Sequence, residues 1–320
     1  MRQVFAFCPS SFFFNRTNNY SKVLEVNNME VVIQQLVNGL FLGSIYALLA
    51  LGYTMVYGII KLINFAHGEI YMLGGFMGYF FINKLGLGFF PALILSMAGA
   101  AVIGVVIEFL AYRPLRKSTR IAALITAIGV SFLLQNGMIY WLGPEKKSFP
   151  QAIEFKNYQL GFIQISNIQV LILVIALVLM IALQLIVKKT KMGKAMRAVS
   201  VDADAAQLMG INVNRTISFT FALGSALAAA AGMLIGLYYN SIDPMMGVVP
   251  GLKSFVAAVL GGIGIIPGAA LGGFVIGLLE TVTIALGFSN YKDAVVYALL
   301  IIILLIRPAG ILGKNIKEKV

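Results

Sequence analysis

Three polar residues, Asn64, His67 and Glu69, lie close together in the stretch NFAHGEIYMLGG (64–75), between two long apolar segments. His67 is the only histidine in the chain. Inside a membrane, imidazole and carboxylate groups can carry protons, bind the polar groups of a solute or bond one helix to another. This stretch is therefore the first candidate for a solute pathway.

A helix that starts near Phe65, with Asn64 as its N-cap, would give this stretch one polar and small face. That face contains His67, Tyr71, Gly74 and Gly78. Glu69 would lie in the first turns, near the positive end of the helix. The polar face is predicted to turn toward protein, and a helix that begins within the membrane resembles the broken helices of transporter sites. A role in bonding helices together remains open for His67 and Glu69.

Two further acidic residues lie in apolar segments. Glu280 follows two glycines at helical spacing, so it is predicted to point into the helix bundle and is another pathway candidate. Glu108 lies near the end of its segment, within reach of Arg113 or Arg116, and is predicted to form a structural ion pair.

The composition distinguishes a membrane protein from a soluble one. Of its 320 residues 60% are hydrophobic and 11% are charged, whereas a soluble domain has about 25% charged residues. Apolar runs long enough to cross a bilayer (~20 residues) recur along the chain. The sequence therefore predicts an all-α polytopic integral membrane protein without a separate soluble domain. The single cysteine, Cys8, excludes an intrachain disulfide framework and a cysteine-based metal cluster.

About eight or nine transmembrane helices are predicted, some of them broken or re-entrant. The apolar segments are 31–60, 64–82, 89–112, 121–142, 168–187, 216–238, 252–266, 268–287 and a last one that ends at Ile306. The seventh segment is short and rich in glycine, so it needs protein around it. The net charge of +12 is concentrated in short loops, which the positive-inside rule explains better than nucleic-acid binding does. The same rule predicts an external N-terminus and a cytoplasmic C-terminus.

Small residues at intervals of four predict close helix packing in two segments. One stripe contains Gly39, Gly43 and Ala47, and the other contains Gly224, Ala228, Gly232 and Gly236. Residues 1–28 are rich in Asn, Ser and Phe and lack the features of a signal peptide. We therefore interpret them as a disordered tail or as an upstream start assignment, with Met29 opening the first membrane helix.

The longest basic stretch, 188–216, contains VDADAAQLMGI, which has the pattern of a short helix. Asp202 is its predicted N-cap and Gly210 its predicted stop. A helix of about two turns is unstable alone in water. It must therefore rest on the membrane bundle or on a partner.

The segment DAAQLMG (204–210) resembles the EAA-x-x-x-G coupling segment of bacterial ABC importer permeases, with Asp204 in place of glutamate. Four longer stretches resemble the LivH-type branched-chain amino acid permease family, and the resemblance extends from Met29 to about Gly313. They are GSIYALLALGYTMVYGIIKLINFAHGEIYMLGG, RPLRKSTRIAALITAIGVSFLLQN, GKAMRAVSVDADAAQLMGINVNR and GLKSFVAAVLGGIGIIPGAALGG. The chain departs from the family in Asp204, in Lys61-Leu62 and in its longer N-terminus.

The resemblance implies that residues 29–320 form the membrane permease domain of an ATP-driven importer for branched-chain amino acids in the bacterial inner membrane. It implies a separate cytoplasmic ATPase that docks on residues 193–210, and an importer with a paralogous LivM-type permease, two such ATPases and an extracytoplasmic binding protein. The implied coupling residues are Arg197, Asp204, Ala205, Ala206 and Gly210. ATP would be used by the partner subunits, since the sequence contains no G-x-x-x-x-G-K-[ST] phosphate loop. No cofactor or metal is expected on this chain.

Three alternatives remain at this stage. Urea and short-chain amide permeases have similar sequences. A proton-coupled secondary transporter would use His67, Glu69 and Glu280 as a relay, but the sequence shows no inverted repeat. An intramembrane hydrolase is disfavoured because no Ser–His or paired-Asp arrangement occurs in matching membrane segments.

Overall fold

A computed structural model describes residues 14–116, 118–161 and 163–313, and most of these residues are helical. Within these ranges the α-helices are α1 (Phe14–Ile60), α2 (His67–Asn83), α3 (Phe89–Ile107), α4 (Arg120–Leu142), α5 (Asn167–Lys189), α6 (Lys191–Val201), α7 (Ala203–Leu208), α8 (Val213–Tyr239), α9 (Val248–Gly261), α10 (Ile266–Ala285) and α11 (Lys292–Ile306). A π-helical turn, Glu108–Tyr112, extends α3. Short antiparallel strand pairs join β1 (Lys147–Ser148) to β4 (Ser241–Ile242) and β2 (Asn157–Leu160) to β3 (Ile163–Ser166).

Seven of the helices in the described ranges are long and apolar enough to cross a membrane, namely α1, α3 to α5, α8, α10 and α11. The remaining apolar helices, α2 and α9, have only 17 and 14 residues. The predicted all-α polytopic fold with some short helices is therefore confirmed. The predicted segment 252–266 was placed too late, because α9 begins at Val248 and ends at Gly261, before Gly262 and Gly264 with positive φ.

The first short helix begins beside α1 at Gly52, inside the bundle. After α1 ends at Ile60, Lys61 adopts a left-handed conformation (φ 56°) and residues 61–66 turn back along the helix. His67 then packs against Gly52 and Tyr53, about two helical turns before the end of α1. As predicted, α2 is a broken helix whose N-terminus lies within the bundle.

The second short helix, α9, begins at the same place and runs the opposite way. Its N-cap, Gly247, lies against the carbonyl oxygen of Gly68 at the start of α2. Beyond its other end, Gly264 packs on Gly58 near the end of α1. The N-termini of α2 and α9 therefore meet beside Gly52 and Tyr53, about two turns before the end of α1.

Both predicted stripes of small residues pack inside the chain. On α1, Gly43 lies against the backbone of Phe274 in α10, and Ala47 lies against Gly273. On α8, Gly232 lies against the carbonyl oxygen of Tyr71 in α2. These backbone approaches place α1 at the centre of the bundle, between α8, α9 and α10.

The described loops after α3, before α8 and after α11, which carry basic residues, lie at one end of the bundle. Arg116 donates a hydrogen bond to Asn214 (2.7 Å), which joins the loop after α3 to the loop before α8. Ile311 N donates to the carbonyl oxygen of Leu260 (2.8 Å), which holds the chain beyond α11 at the end of α9. Which side of the membrane this end faces remains a prediction.

The predicted N-terminal tail is only partly described. Residues 1–13 lie outside the described ranges, and the backbone of residues 14–28 continues α1. Its interpretation as a disordered tail or an upstream start therefore stays a prediction.

Replacing Gly232 by leucine should destabilise the bundle, because a side chain there would collide with the Tyr71 carbonyl oxygen. Overpacking of this kind typically costs ~1–3 kcal/mol. Gly232→Leu should lower the thermal unfolding midpoint of the purified chain. Gly137→Leu on α4 is the matched control, since nothing lies within 4 Å of a Cβ atom at that position. Equal midpoints for the two variants would show that the α2–α8 contact does not support the fold.

Candidate functional site

Glu69 lies where the N-termini of α2 and α9 meet. Its side chain is buried, and Ser131 Oγ on α4 donates a hydrogen bond to its Oε1 atom (3.1 Å). Its Oε2 atom has no hydrogen-bond partner in the described part of the chain and points toward Gly247, the N-cap of α9. One turn further along α4, the buried Nε2 atom of Gln135 is also without a partner. Buried polar groups are normally paired, so both atoms keep a hydrogen-bonding capacity that the described residues do not use.

His67 and Tyr71 occupy a different face of α2. The His67 ring is wedged against Gly52 and stacks edge-on with Tyr53 (centroids 4.7 Å apart). Gly74 lies against Ala229 of α8. The face predicted to turn toward protein does so, but it turns toward α1 and α8, whereas Glu69 turns toward α4 and α9. The structure thus separates Glu69 from the residues with which the sequence grouped it.

Asn64 is not the N-cap of α2. That position belongs to Ala66, which makes no side-chain capping bond. Asn64 instead accepts a hydrogen bond from the Tyr112 hydroxyl (2.9 Å), and its carbonyl oxygen accepts one from His67 N (3.1 Å). The prediction was wrong because the chain turns twice before the helix begins, and sequence spacing does not show this.

Glu280 belongs to a buried ionic cluster. It accepts hydrogen bonds from Lys253 Nζ and from the Tyr46 hydroxyl, both at 2.8 Å, and Lys292 Nζ lies 3.3 Å from its other oxygen. Lys253 is 2% exposed and also contacts Asp293 at 2.5 Å. The cluster ties α9 to α1, α10 and α11. Sequence reasoning missed Lys253, although a lone lysine within an apolar segment is a usable signal.

Glu108 is structural, as the sequence predicted. Its fully buried carboxylate pairs with Arg113 (2.9 Å) and Arg116 and accepts a hydrogen bond from Ser218 (2.7 Å). Burial lowers the pKa of the Arg116 guanidinium, and the Glu108 carboxylate opposes this effect. The cluster joins the end of α3 to the start of α8.

The predicted coupling segment folds as two helices. Asp202 is the N-cap of α7, as predicted, and accepts hydrogen bonds from Asp204 N and Ala205 N (both 2.9 Å). Gly210 ends this helix region with a φ of 83°. Because the chain is extended at Asp202, Arg197 lies on α6 and Asp204 on α7, so the two residues do not share one helix face.

Two predicted coupling residues make contacts within the chain itself. The Arg197 guanidinium donates to the carbonyl oxygen of Val187 near the end of α5. Ala206 is buried, whereas Asp204, Ala205 and Gly210 are exposed. Three large apolar residues missed by the sequence analysis are almost fully exposed on this segment: Val201 (88%), Leu208 (88%) and Met209 (83%). The described helices leave these three side chains uncovered.

Comparison with known proteins shows which protein family the chain matches. The model of the branched-chain amino acid transport system permease component matches residues 35–304. The chain is 45% identical over 300 residues to the high-affinity branched-chain amino acid transport system permease protein BraD of Pseudomonas aeruginosa, an alignment that covers 90% of this chain and 98% of the relative. It is 44% identical over 303 residues to LivH of Escherichia coli K12, covering 90% and 97%. A branched-chain amino acid transport permease protein of Methanocaldococcus jannaschii, also named LivH, is 28% identical, covering 86% and 91%.

The ionic cluster predicts a non-additive pair of substitutions. Lys253→Met should destabilise the protein by ~3–5 kcal/mol, because it removes the buried partner of Glu280. The double variant Lys253→Met/Glu280→Leu should recover much of this loss, since the remaining Lys292 and Asp293 are each about two-fifths exposed. Thermal unfolding of the purified variants measures both effects.

Lys156→Met provides the control for that comparison, because Lys156 and its partner Glu154 are largely exposed and 3.4 Å apart. It should leave the midpoint unchanged. The single variant Glu280→Leu completes the comparison. If the double variant loses as much stability as Lys253→Met and Glu280→Leu lose when added together, Lys253 and Glu280 are not one buried pair.

Proposed function

This chain belongs to the family of branched-chain amino acid transport permease components, and from that premise we propose that it is the membrane-spanning subunit of an ATP-driven importer for leucine, isoleucine and valine. The observation that carries the proposal is the 45% identity to a branched-chain amino acid permease along almost the whole of both chains. The relatives are named for this solute class, which favours it over urea or amides. The chain is a multi-pass membrane protein, and we place it in the bacterial inner membrane with its C-terminus in the cytoplasm.

In this proposal one of two cytoplasmic ATPases binds α6 and α7, and the two ATPases supply the ATP hydrolysis. The exposed apolar residues Val201, Leu208 and Met209 give the bound ATPase a contact surface that the membrane bundle leaves uncovered. The paralogous permease completes the pathway, and an extracytoplasmic binding protein delivers the solute to the opposite end of the bundle.

The contacts inside the chain suggest how movement of the coupling segment reaches the pathway. The segment is joined to α5 through Arg197, and α7 packs on the start of α8. Further along α8, Gly232 and Ala229 lie against the backbone of α2. A shift of α8 therefore moves the helix that carries Glu69.

Glu69 fits a pathway role best among the candidates. Asn64, His67, Tyr71 and Glu280 each contact neighbouring helices, although the Asn64 Nδ2 and His67 Nε2 atoms also have no hydrogen-bond partner in the described residues. Only Glu69 among these five offers a carboxylate oxygen without a partner in the described residues, beside the N-terminus of another helix. Such a carboxylate suits the ammonium group of an amino acid, and helix N-termini suit its carboxylate.

The energy source tests the proposal directly. Uptake into vesicles that hold a constant internal ATP concentration should survive an uncoupler, because ATP hydrolysis drives the cycle. Depletion of internal ATP should abolish uptake while the proton gradient is maintained. Uptake that stops with the uncoupler at constant ATP would instead favour the proton-coupled alternative.

Leu208→Arg should separate the chain from its ATPases. The side chain is almost fully exposed, so the substitution places a desolvated charge at the contact without disturbing the fold. The purified complex should lose its ATPase subunits while the thermal midpoint of the chain stays unchanged. Leu85→Arg, at an exposed position at the other end of α2, should retain them. Ala206→Arg is a poorer test, because Ala206 is buried and its replacement also disturbs the fold.

Glu69→Gln should impair transport without loss of assembly. The amide can keep the Ser131 hydrogen bond but cannot pair with an ammonium group, and hydrogen bonds to charged groups contribute ~1.5–3 kcal/mol. Uptake should fall about ten-fold or more, with normal ATPase content and thermal midpoint. Glu154→Gln, at an exposed outer position, should behave as wild type. Unchanged uptake per folded molecule would assign Glu69 to helix bonding alone.

A further inference from the structure

A groove of about 550 Å³ opens between the end of α3, α6 and the start of α8. It lies at the end of the bundle that carries the basic loops, and it is separate from Glu69. From its lining we propose that it binds an anionic membrane phospholipid, with the headgroup at its mouth and one acyl chain along its wall. This binding does not depend on which solute is carried.

The mouth of the groove is positively charged. Arg113 and Arg215 line it together with the polar side chains of Asn212, Asn214 and Ser218, and no acidic residue of the described chain lines it. Arg113 shares the buried Glu108 carboxylate with Arg116. Arg215 is exposed and forms no ion pair with the described residues, so its charge is available to a phosphate group.

The wall of the groove is apolar and extends along the membrane-spanning helices. Val105, Phe219 and Ala222 line it together with Met192 of α6. Ala222 lies about two helical turns beyond Arg215 along α8, ~10 Å toward the middle of the helix. The neighbouring face of α3 exposes Val102, Val106 and other large apolar residues, as a lipid-facing surface does.

This shape decides between possible occupants. Free phosphate would use only the charged mouth. An ATPase subunit would approach from the cytoplasmic end and leave the apolar wall uncovered. A phospholipid matches both parts, and basic sites near the cytoplasmic surface attract anionic lipids by about 1 kcal/mol per arginine or lysine. Because Met192 belongs to α6, a bound lipid would also hold the coupling segment against α3 and α8.

Native mass spectrometry of the full complex tests this proposal, with phosphatidylglycerol and phosphatidylethanolamine offered in equal amounts. The wild-type complex should retain phosphatidylglycerol preferentially. Arg215→Gln should weaken that retention about five-fold, in proportion to the loss of one cation. Lys84→Gln, an equal charge change at the exposed opposite end of α2, should leave it unchanged.

Ala222→Trp distinguishes a lipid from a headgroup alone, because it fills the apolar wall and leaves both arginines in place. It should also reduce phosphatidylglycerol retention. Equal retention of the two lipids by wild type, or full retention by Arg215→Gln, would overturn the proposal. Full retention by Ala222→Trp, or displacement of the lipid by inorganic phosphate, would assign the mouth to another occupant and overturn it as well.

Discussion

Two short helices begin inside the bundle, and close backbone contacts at glycine residues make room for them. These contacts support most of this structure. The first turns of a helix leave N–H groups without helical partners, and a bilayer offers no water to satisfy them. Here the starts of α2 and α9 lie against each other at Gly68 and Gly247 and beside Gly52 of α1. Side chains at these positions would push the helices apart. The short helices are therefore possible only because α1, α8 and α10 surround them.

The buried acidic residues lie where several helices of the bundle meet. Two acidic residues, Glu108 and Glu280, are neutralised by basic partners, one cluster at the basic end of the bundle and the other where α9, α10 and α11 meet. Each cluster joins helices that are distant in sequence. Glu69 is different, since its protein partner is the neutral Ser131 hydroxyl. A buried carboxylate without a basic partner is costly, and the solute binding that we propose at the junction of α2 and α9 accounts for this cost.

The bundle also connects the coupling segment to that junction through ordinary packing. Between them lies α8, whose start contacts α7 and whose middle contacts α2 through small residues. Close backbone contacts transmit displacement because they leave no space for side chains to absorb it. In the importer that we propose, α8 therefore connects the coupling segment at one end with α2, the helix that carries Glu69, at the other.

The sequence by itself determined the membrane class, the broken second segment, the two packing stripes, the Glu108 ion pair and the Asp202 cap. Each of these depends on composition or on spacing within one or two helical turns, which local rules describe. The tertiary structure decided the direction of each polar side chain: Glu69 toward α4 and α9, Asn64 toward Tyr112, and Glu280 toward Lys253. These contacts join residues far apart in the chain. They depend on which helices pack around α1, and the spacing of residues within one segment does not show this.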